Sequence, residues 1–265
     1  MKKFWFILTA LVATCFLVAC SGSQGVSPKT IKEKKKIVVA TESEFAPFEF
    51  KSLVNGKDTL VGADIELAKA IGEKLGVKVE FSVMSFDNVL ANVQSGKADI
   101  AIAGISVTDE RKKVYDFSDS YYTSENVVIV KKDKVNDYTS TDSLAKQTVG
   151  TQKGSVQETV AKKQISKASV VSLASNGEMI NELKSGQLQA VVLEKAIAEG
   201  YIAQNDDLTL ANFNLKSDGS DAYAVATRKG SDDLLKEINA VIKDTKDSGK
   251  FDQWLKEAST YKQSK

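Results

Sequence analysis

From about residue 36 onward the hydrophobic positions switch repeatedly between two rhythms. Short apolar runs alternate with longer stretches in which apolar residues recur every three or four positions. Residues 36–41 (KIVVAT) read as a strand. In 63–75, Ile65, Leu67, Ala68, Ile71 and Leu75 share one helical face, and Gly76 follows as a C-cap. Residues 77–83 alternate as a strand, 86–94 form a short helix stopped by Ser95-Gly96, and 99–105 form a buried strand containing IAIAGI. Residues 148–155 (TVGTQKGS) lead a strand into a glycine turn and a helix start, 222–227 read as a strand, and 231–245 and 249–257 as closing helices. Strands alternating with helices predict an α/β architecture.

Part of this pattern occurs twice. LANVQSGKADIAIAG (90–104) resembles INELKSGQLQAVVLE (180–194): a helix, a Ser-Gly stop and a buried strand. With Ser95-Gly96 laid on Ser185-Gly186, Gly104 falls on Glu194. The expectation is two similar lobes facing a shared cleft. Residues 37–123 plus 222–262 would form the first lobe and 124–221 the second. The chain would cross between them near 120–130 and 219–226, and two crossings make a hinge.

The strand 99–105 is followed by Ser106, Thr108 and Asp109, which supply helix-capping side chains, and by Arg111 within one turn. Ligands of open α/β sheets bind beyond the carboxyl ends of strands. A guanidinium there can hold a carboxylate with two parallel hydrogen bonds. The helix start after Gly154 offers free backbone N–H groups to an anion. It lacks the glycine and lysine spacing of a nucleotide-binding P-loop.

The ends and the composition narrow the function. Lys2 and Lys3 precede an apolar run, and Leu17-Val18-Ala19-Cys20 has the form of a bacterial lipobox. The run is shorter than a spanning helix needs. Residues 1–19 are therefore expected to be a lipoprotein signal peptide, Cys20 the lipid-bearing first residue, and 20–36 a flexible tether. Cys15 and Cys20 are the two cysteines, which leaves no disulfide in the processed chain. The 265 residues contain no histidine, which excludes Ser-His and Cys-His nucleophiles and histidine metal sites. The formal charge is +1, or −1 once Lys2 and Lys3 are removed. So balanced a surface argues against nucleic acid as a partner.

The stretches VVATESEFAPFEF (38–50), VGADIELAKAIGEKLG (61–76), SGKADIAIAGISVTDERKKVYDFSDSYY (95–122), VGTQKGS (149–155) and RKGSDDLLKEIN (228–239) carry a family likeness. They resemble solute-binding protein family 3, the polar amino-acid-binding proteins of bacterial ABC importers, which includes glutamine- and lysine/arginine/ornithine/histidine-binding members. The resemblance implies a two-lobed periplasmic-binding-protein-like fold of type II with the ligand in the cleft between the lobes. It implies an amino-acid ligand, a membrane permease with its ATPase as partners, and no cofactor, metal or catalysis. Together with the lipobox it implies a monomeric lipoprotein on the outer face of a Gram-positive cell membrane.

The same resemblance carries roles to individual residues. Arg111 would hold the ligand α-carboxylate, with Ser106 beside it and Gly154 and Ser155 as backbone donors from the other lobe. The Gly104 carbonyl and Glu194 would receive the α-ammonium; Glu194 stands where the family has aspartate. Phe45 and Phe86 would sandwich the ligand side chain, Glu42 would lie at its far end, and Gln152 and Gln157 would face the ligand. A zwitterion costs many kcal/mol to bury without partners. Arg111, Glu194 and the Gly154 turn form a matching set. Glu42 with two aromatic rings favours a cationic side chain, arginine before lysine or ornithine. Glutamine is the alternative ligand. A cyclohexadienyl-dehydratase-like enzyme and a sensory lipoprotein are the alternative classes on the same fold.

Overall fold

The structure, a computed structural model, describes residues 25–264 apart from Asp218 and Ser220. The expected signal peptide and the lipidation site Cys20 lie outside the described residues. The described chain begins in an ordered segment, which corrects the flexible-tether expectation over 25–36. Ser27 caps the helix Pro28–Lys34 in a reciprocal capping box with Thr30, and Pro28 opens its first turn. Ile31 is fully buried, and the Val26 N–H donates to Ser231 Oγ at 2.7 Å. Two buried apolar residues, Val26 and Ile31, dock the segment through a helix of about two turns.

Two five-stranded mixed sheets form the two lobes. In the first, Lys36–Thr41 lies between Lys78–Val83 and Ile100–Ala101 in parallel register. Ala226–Arg228 adds antiparallel, followed by Tyr115–Phe117. In the second, Thr148–Gln152 lies between Ser169–Leu173 and Ala190–Glu194, again parallel. Asn126–Lys131 adds antiparallel, followed by Leu208–Leu210. The expected strands at 36–41 and 77–83, the helices at 63–75 and 86–94, and the two closing helices all form, the last two as Asp232–Asp247 and Lys250–Ala258.

Between the lobes the chain runs out through Tyr122–Thr123 and returns through Ala222–Tyr223, and these two segments pair antiparallel. A continuous apolar cluster passes beneath them, from Ile37 and Val39 through Phe48, Tyr121 and Tyr223 to Val127 and Leu193. Burial of each large side chain there contributes roughly 1.5–3 kcal/mol.

Two features depart from the pattern. The regular strand expected over 99–105 ends after Ala101, although Ile102, Ala103 and Ile105 remain buried. Gly104 takes φ +54, a left-handed conformation that breaks the pleat. A three-stranded sheet of Glu44–Phe45, Glu49–Val54 and Lys57–Val61 is inserted between the first strand and the helix Ala63–Leu75. Hydrophobic spacing passes over it, yet Asn55 (φ +51) and Gly56 (φ +75) are an Asn-Gly hairpin turn in the open.

Candidate functional site

The ends of the two central strands face each other across the cleft. Glu42 follows Lys36–Thr41 and is 3% exposed; Gln152 ends Thr148–Gln152 and is 4% exposed. Gln152 Nε2 donates to both oxygens of Glu42, at 3.0 and 3.3 Å. Burial pushes the Glu42 carboxyl up to about 8 against the opposing effect of this hydrogen bond, and Glu194 and Glu44 push it further in the same direction.

Glu194 ends Ala190–Glu194 and stands at the N-cap of Lys195–Gln204, where its side chain makes no capping bond. Burial raises it to about 7, while its own backbone N–H, the nearby Tyr223 and Gln157 side chains and the charge of Arg111 hold it down. The Gln157 amide also donates to Asn126 Oδ1 at 2.7 Å, and Asn126 is the cross-strand partner of Glu194. Tyr223 and Asn126 were not singled out by the sequence. Their signal lies in pairing across strands, which one chain read linearly does not display.

Arg111 is positioned by a very short helix. The Thr108 hydroxyl accepts from the Arg111 N–H at 3.1 Å, capping Asp109–Lys112 as expected. The guanidinium Nη1 donates to the Ser106 carbonyl at 2.8 Å and Nη2 to the Gly154 carbonyl at 3.1 Å, so one side chain spans both lobes. Its carbon lies 5.8 Å from the centre of the Phe86 ring. Burial lowers its pKa to about 10, and Glu194 acts in the opposite direction. The guanidinium therefore stays charged at neutral pH.

Gly104 meets Phe45 edge-on. A Cβ built on Gly104 would lie 2.5 Å from Phe45 Cε1, so the ring packs where no other residue would leave room. Its N–H donates to Asp64 Oδ2 at 3.1 Å. Phe45 also packs against Phe48 and Tyr223, with ring centres 5.7 and 6.3 Å away. Phe86 belongs instead to the cluster with Ala40, Val89 and Ala101. Among the described residues no ring contact joins Phe45 to Phe86.

The glycine turn behaves differently from its expected part. Gly154 has φ +79, and its N–H donates to Glu158 Oε2 at 3.0 Å. Ser155 caps Val156–Gln164, accepting from the Glu158 N–H, and its hydroxyl donates to the Gln152 carbonyl at 2.7 Å. In this arrangement the turn offers Arg111 an acceptor and gives its own N–H to Glu158. Of the residues singled out, Glu42 bonds Gln152, and Arg111 bonds Ser106 and Gly154 while lying over Phe86. Ser155 is tied to Gln152, and Gly104 to Phe45.

Contacts at both rims of the cleft went unnoticed in the sequence. Lys153 Nζ lies 2.9 Å from Asp87 Oδ2. Glu44 Oε2 accepts from the Gly177 N–H at 3.0 Å, at the start of Asn176–Ser185. Both are ordinary surface residue types, and nothing in their spacing distinguishes them. Asp64 did carry a signal: it interrupts the apolar face of its helix between Ala63 and Ile65, and a buried acid is rare without a partner. Among the described residues no group of three His, Cys, Asp or Glu side chains is placed to hold a metal ion. No described helix is long and apolar enough to cross a membrane.

Known proteins share this sequence and this architecture. The arginine-binding extracellular protein ArtP of Bacillus subtilis is 34% identical over 261 residues, covering 97% of each chain. The ABC transporter glutamine-binding protein GlnH of the same organism is 32% identical over 277 residues, covering 97% of this chain and 98% of its own. The crystal structure of AbpA, an amino acid ABC transporter substrate-binding protein from Streptococcus pneumoniae bound to L-arginine, superposes with a TM-score of 0.85 at 51% identity, over 87% of this chain and 97% of its own. The family model of the bacterial extracellular solute-binding proteins, family 3, matches residues 37–258. With its two lobes and the cleft between them, the chain belongs to that family.

Proposed function

We propose that the protein is the ligand-capturing component of an amino-acid ABC importer and that its ligand is a cationic amino acid, arginine first. One observation supports the choice of ligand: of two buried carboxylates, Glu194 acts both on the other, Glu42, and on the one guanidinium, Arg111. With all three ionised the cleft carries one net negative charge. An amino acid with a cationic side chain carries one net positive charge and neutralises it. Glutamine would leave the buried charge uncompensated, at a cost of several kcal/mol.

In this reading Arg111 grips the ligand carboxylate, and Glu194 and the Gly104 carbonyl take the ammonium. Glu42 receives the guanidinium at the far end, beside the faces of Phe45 and Phe86. Ser106, Ser155 and the Gly154 turn complete the carboxylate end, and Gln152 holds Glu42 in place. The lobes close on the ligand about the paired crossings, and a membrane permease takes it from the closed form. Nothing in this sequence of events requires catalysis. Cys20 ties the protein to the outer face of the membrane through lipid; palmitate labelling that survives Cys20→Ala would remove that part of the reading.

Glutamine remains the second reading because of Glu42. A carboxyl pushed to about 8 can be neutral at physiological pH, and a neutral acid can donate to an amide oxygen. Titration calorimetry with arginine, lysine, ornithine, histidine and glutamine separates the two. Arginine should bind most tightly, and Glu42→Gln should weaken arginine far more than glutamine. Tight glutamine binding with no response to arginine would reverse the assignment.

A further inference from the structure

A pair of acids that touches no ligand in this reading lies directly behind the site. Glu49, opposite Phe45 on the inserted sheet, is fully buried, as is Asp64 in the first turn of Ala63–Leu75. Asp64 Oδ2 is well supplied, with the Gly104 N–H at 3.1 Å and the Tyr121 hydroxyl at 2.8 Å. Asp64 Oδ1 and both Glu49 oxygens meet no donor among the described residues. Asp64 acts on Glu49 more strongly than any other charge, and the Gly104–Phe45 contact links the two residues, Asp64 through the Gly104 N–H and Glu49 through its pairing with Phe45. As two ionised groups they would be acceptors facing acceptors in an apolar interior, which desolvation and like charge both forbid. The other charges acting on Glu49 are Glu42 and Glu194, also acidic, and the neighbouring Tyr121 and Tyr223 are neutral.

One proton resolves the conflict. We propose that Glu49 is held protonated and donates a hydrogen bond to Asp64, and that this acid–carboxylate pair is the device that positions Gly104 and Phe45 at the ligand site. Burial keeps the Glu49 carboxyl well above the usual carboxylate range, while Asp64, supplied with donors, is raised only to about 6. The geometry closes a ring of four residues. Asp64 holds the Gly104 N–H, and the Phe45 ring fills the space a side chain on Gly104 would need. Phe45 pairs across the sheet with Glu49, and Glu49 donates to Asp64. Peptide planarity means that fixing the Gly104 N–H fixes the orientation of the Ala103–Gly104 unit. The proton on Glu49 therefore sets the wall of the cleft without reaching the ligand. The importance of Gly104 as an ammonium acceptor rests on the proposed function; the shared proton does not.

Glu49→Gln supplies a permanently neutral group of the same shape that still donates to Asp64. It should keep the arginine Kd at pH 7 within about threefold of wild type, as an isosteric swap that preserves its hydrogen bond. In the infrared spectrum of the unliganded protein at neutral pH, the carbonyl stretch of one protonated carboxyl should disappear in Glu49→Gln. At alkaline pH wild-type affinity should fall further than that of Glu49→Gln, because only the wild type has this proton to lose. Asp64→Ala strips the acceptor from the Gly104 N–H and should weaken arginine roughly tenfold or more. An identical infrared band in wild type and Glu49→Gln, or loss of arginine binding in Glu49→Gln at pH 7, would overturn the proposal. A wild-type protein that binds no arginine would instead overturn the functional reading, and the infrared difference would still decide the fate of the proton.

Discussion

The two lobes are built on the same plan and armed differently. Both sheets place three parallel strands beside one antiparallel strand and a fifth that returns to the first direction, in the same spatial order. Ile100 and Ala190, each four residues past a Ser-Gly helix stop, pair with Val39 and Val149 on the central strands. Counted from those pairs, Glu42 and Gln152 are equivalent positions at the ends of equivalent strands, and they bond to each other across the cleft. The equivalence ends one residue later. The second lobe passes directly from its central strand through a glycine turn into a capped helix. The first lobe inserts the sheet 44–61, which delivers Phe45 and the buried acid Glu49. At the repeat's other matched position, Gly104 presents backbone and Glu194 presents a carboxylate. Duplicated scaffolding fixes where groups stand, and single substitutions and one insertion decide whether a position carries charge, ring or bare backbone.

The strongest test of this asymmetry removes the cation that only the first lobe supplies. Arg111→Ala should abolish arginine binding, a loss on the order of 3–5 kcal/mol for a largely desolvated carboxylate partner. Circular dichroism should remain native, because the Arg111 side chain lies over Phe86 and adds little to the core. Lysine at 111 should rescue poorly, since it offers one point charge in place of a fork. Native circular dichroism with unchanged calorimetric affinity would remove Arg111 from the site.

The next test exchanges the devices at the matched positions. Glu194→Gln should cost roughly 2–4 kcal/mol of binding, because an ammonium would be buried with a neutral partner. Gly104→Ala should lower unfolding stability by about 1–3 kcal/mol and weaken binding with it, since φ +54 and the Phe45 ring both reject a Cβ. Chemical denaturation and calorimetry measure the two separately. If Gly104→Ala were neutral in both, the close packing against Phe45 would have no role.

Much of this asymmetry could be read in the chain. The Ser-Gly repeat exposed the common scaffold, and the lone Arg111 after a capped strand end exposed the cation. What stayed hidden depends on distance in three dimensions. The partner of Gln157, Asn126, emerges only when Asn126 pairs with Glu194, and Lys153 finds Asp87 only when the two lobes meet. The inserted sheet was legible in its Asn-Gly turn but lacked a long apolar run. The ordered 25–36 segment does not show in the sequence because two buried residues, Val26 and Ile31, among lysines hardly alter composition.

Protonation sharpens the contrast at smaller energies. Glu42, Glu194 and Asp64 are raised in the folded protein to about 8, 7 and 6. Between their unfolded values near 4 and these folded values, the native state holds protons that the unfolded chain has released. Unliganded stability should therefore fall as pH rises from 5 to 8, by up to about 1.4 kcal/mol per pH unit for each group still titrating. The depressed carboxylates Asp87, Asp116 and Glu158 act below this window. A cationic ligand favours ionised Glu42 and Glu194, so arginine binding near pH 6.5 should release protons. Calorimetry in buffers of different ionisation enthalpy reads that number directly. A pH-independent melting temperature together with no proton release would contradict the burial of these acids.

The smallest expected effects lie at the rims, where the lobes hold each other without the ligand. Lys153 reaches from the second lobe to Asp87 on a first-lobe helix, and Glu44 reaches from the first lobe to the N–H of Gly177 on a second-lobe helix. Asp87 and Gly177 are the second residues of the repeated helices Phe86–Gln94 and Asn176–Ser185, so the two contacts are reciprocal. Both are partly solvated, and such interactions contribute little. Lys153→Ala and Glu44→Gln should each weaken arginine by no more than about fivefold. The change should appear in the dissociation rate, because these contacts form only after the lobes meet. The effect should shrink as salt is added, as screening predicts for exposed charges. In small-angle scattering the unliganded double variant should have a larger radius of gyration than wild type, while the arginine-saturated forms coincide. If the double variant changed neither the dissociation rate nor the unliganded radius, the rim contacts would be incidental, and closure would rest on Arg111 bridging to Gly154 and Gln152 bridging to Glu42.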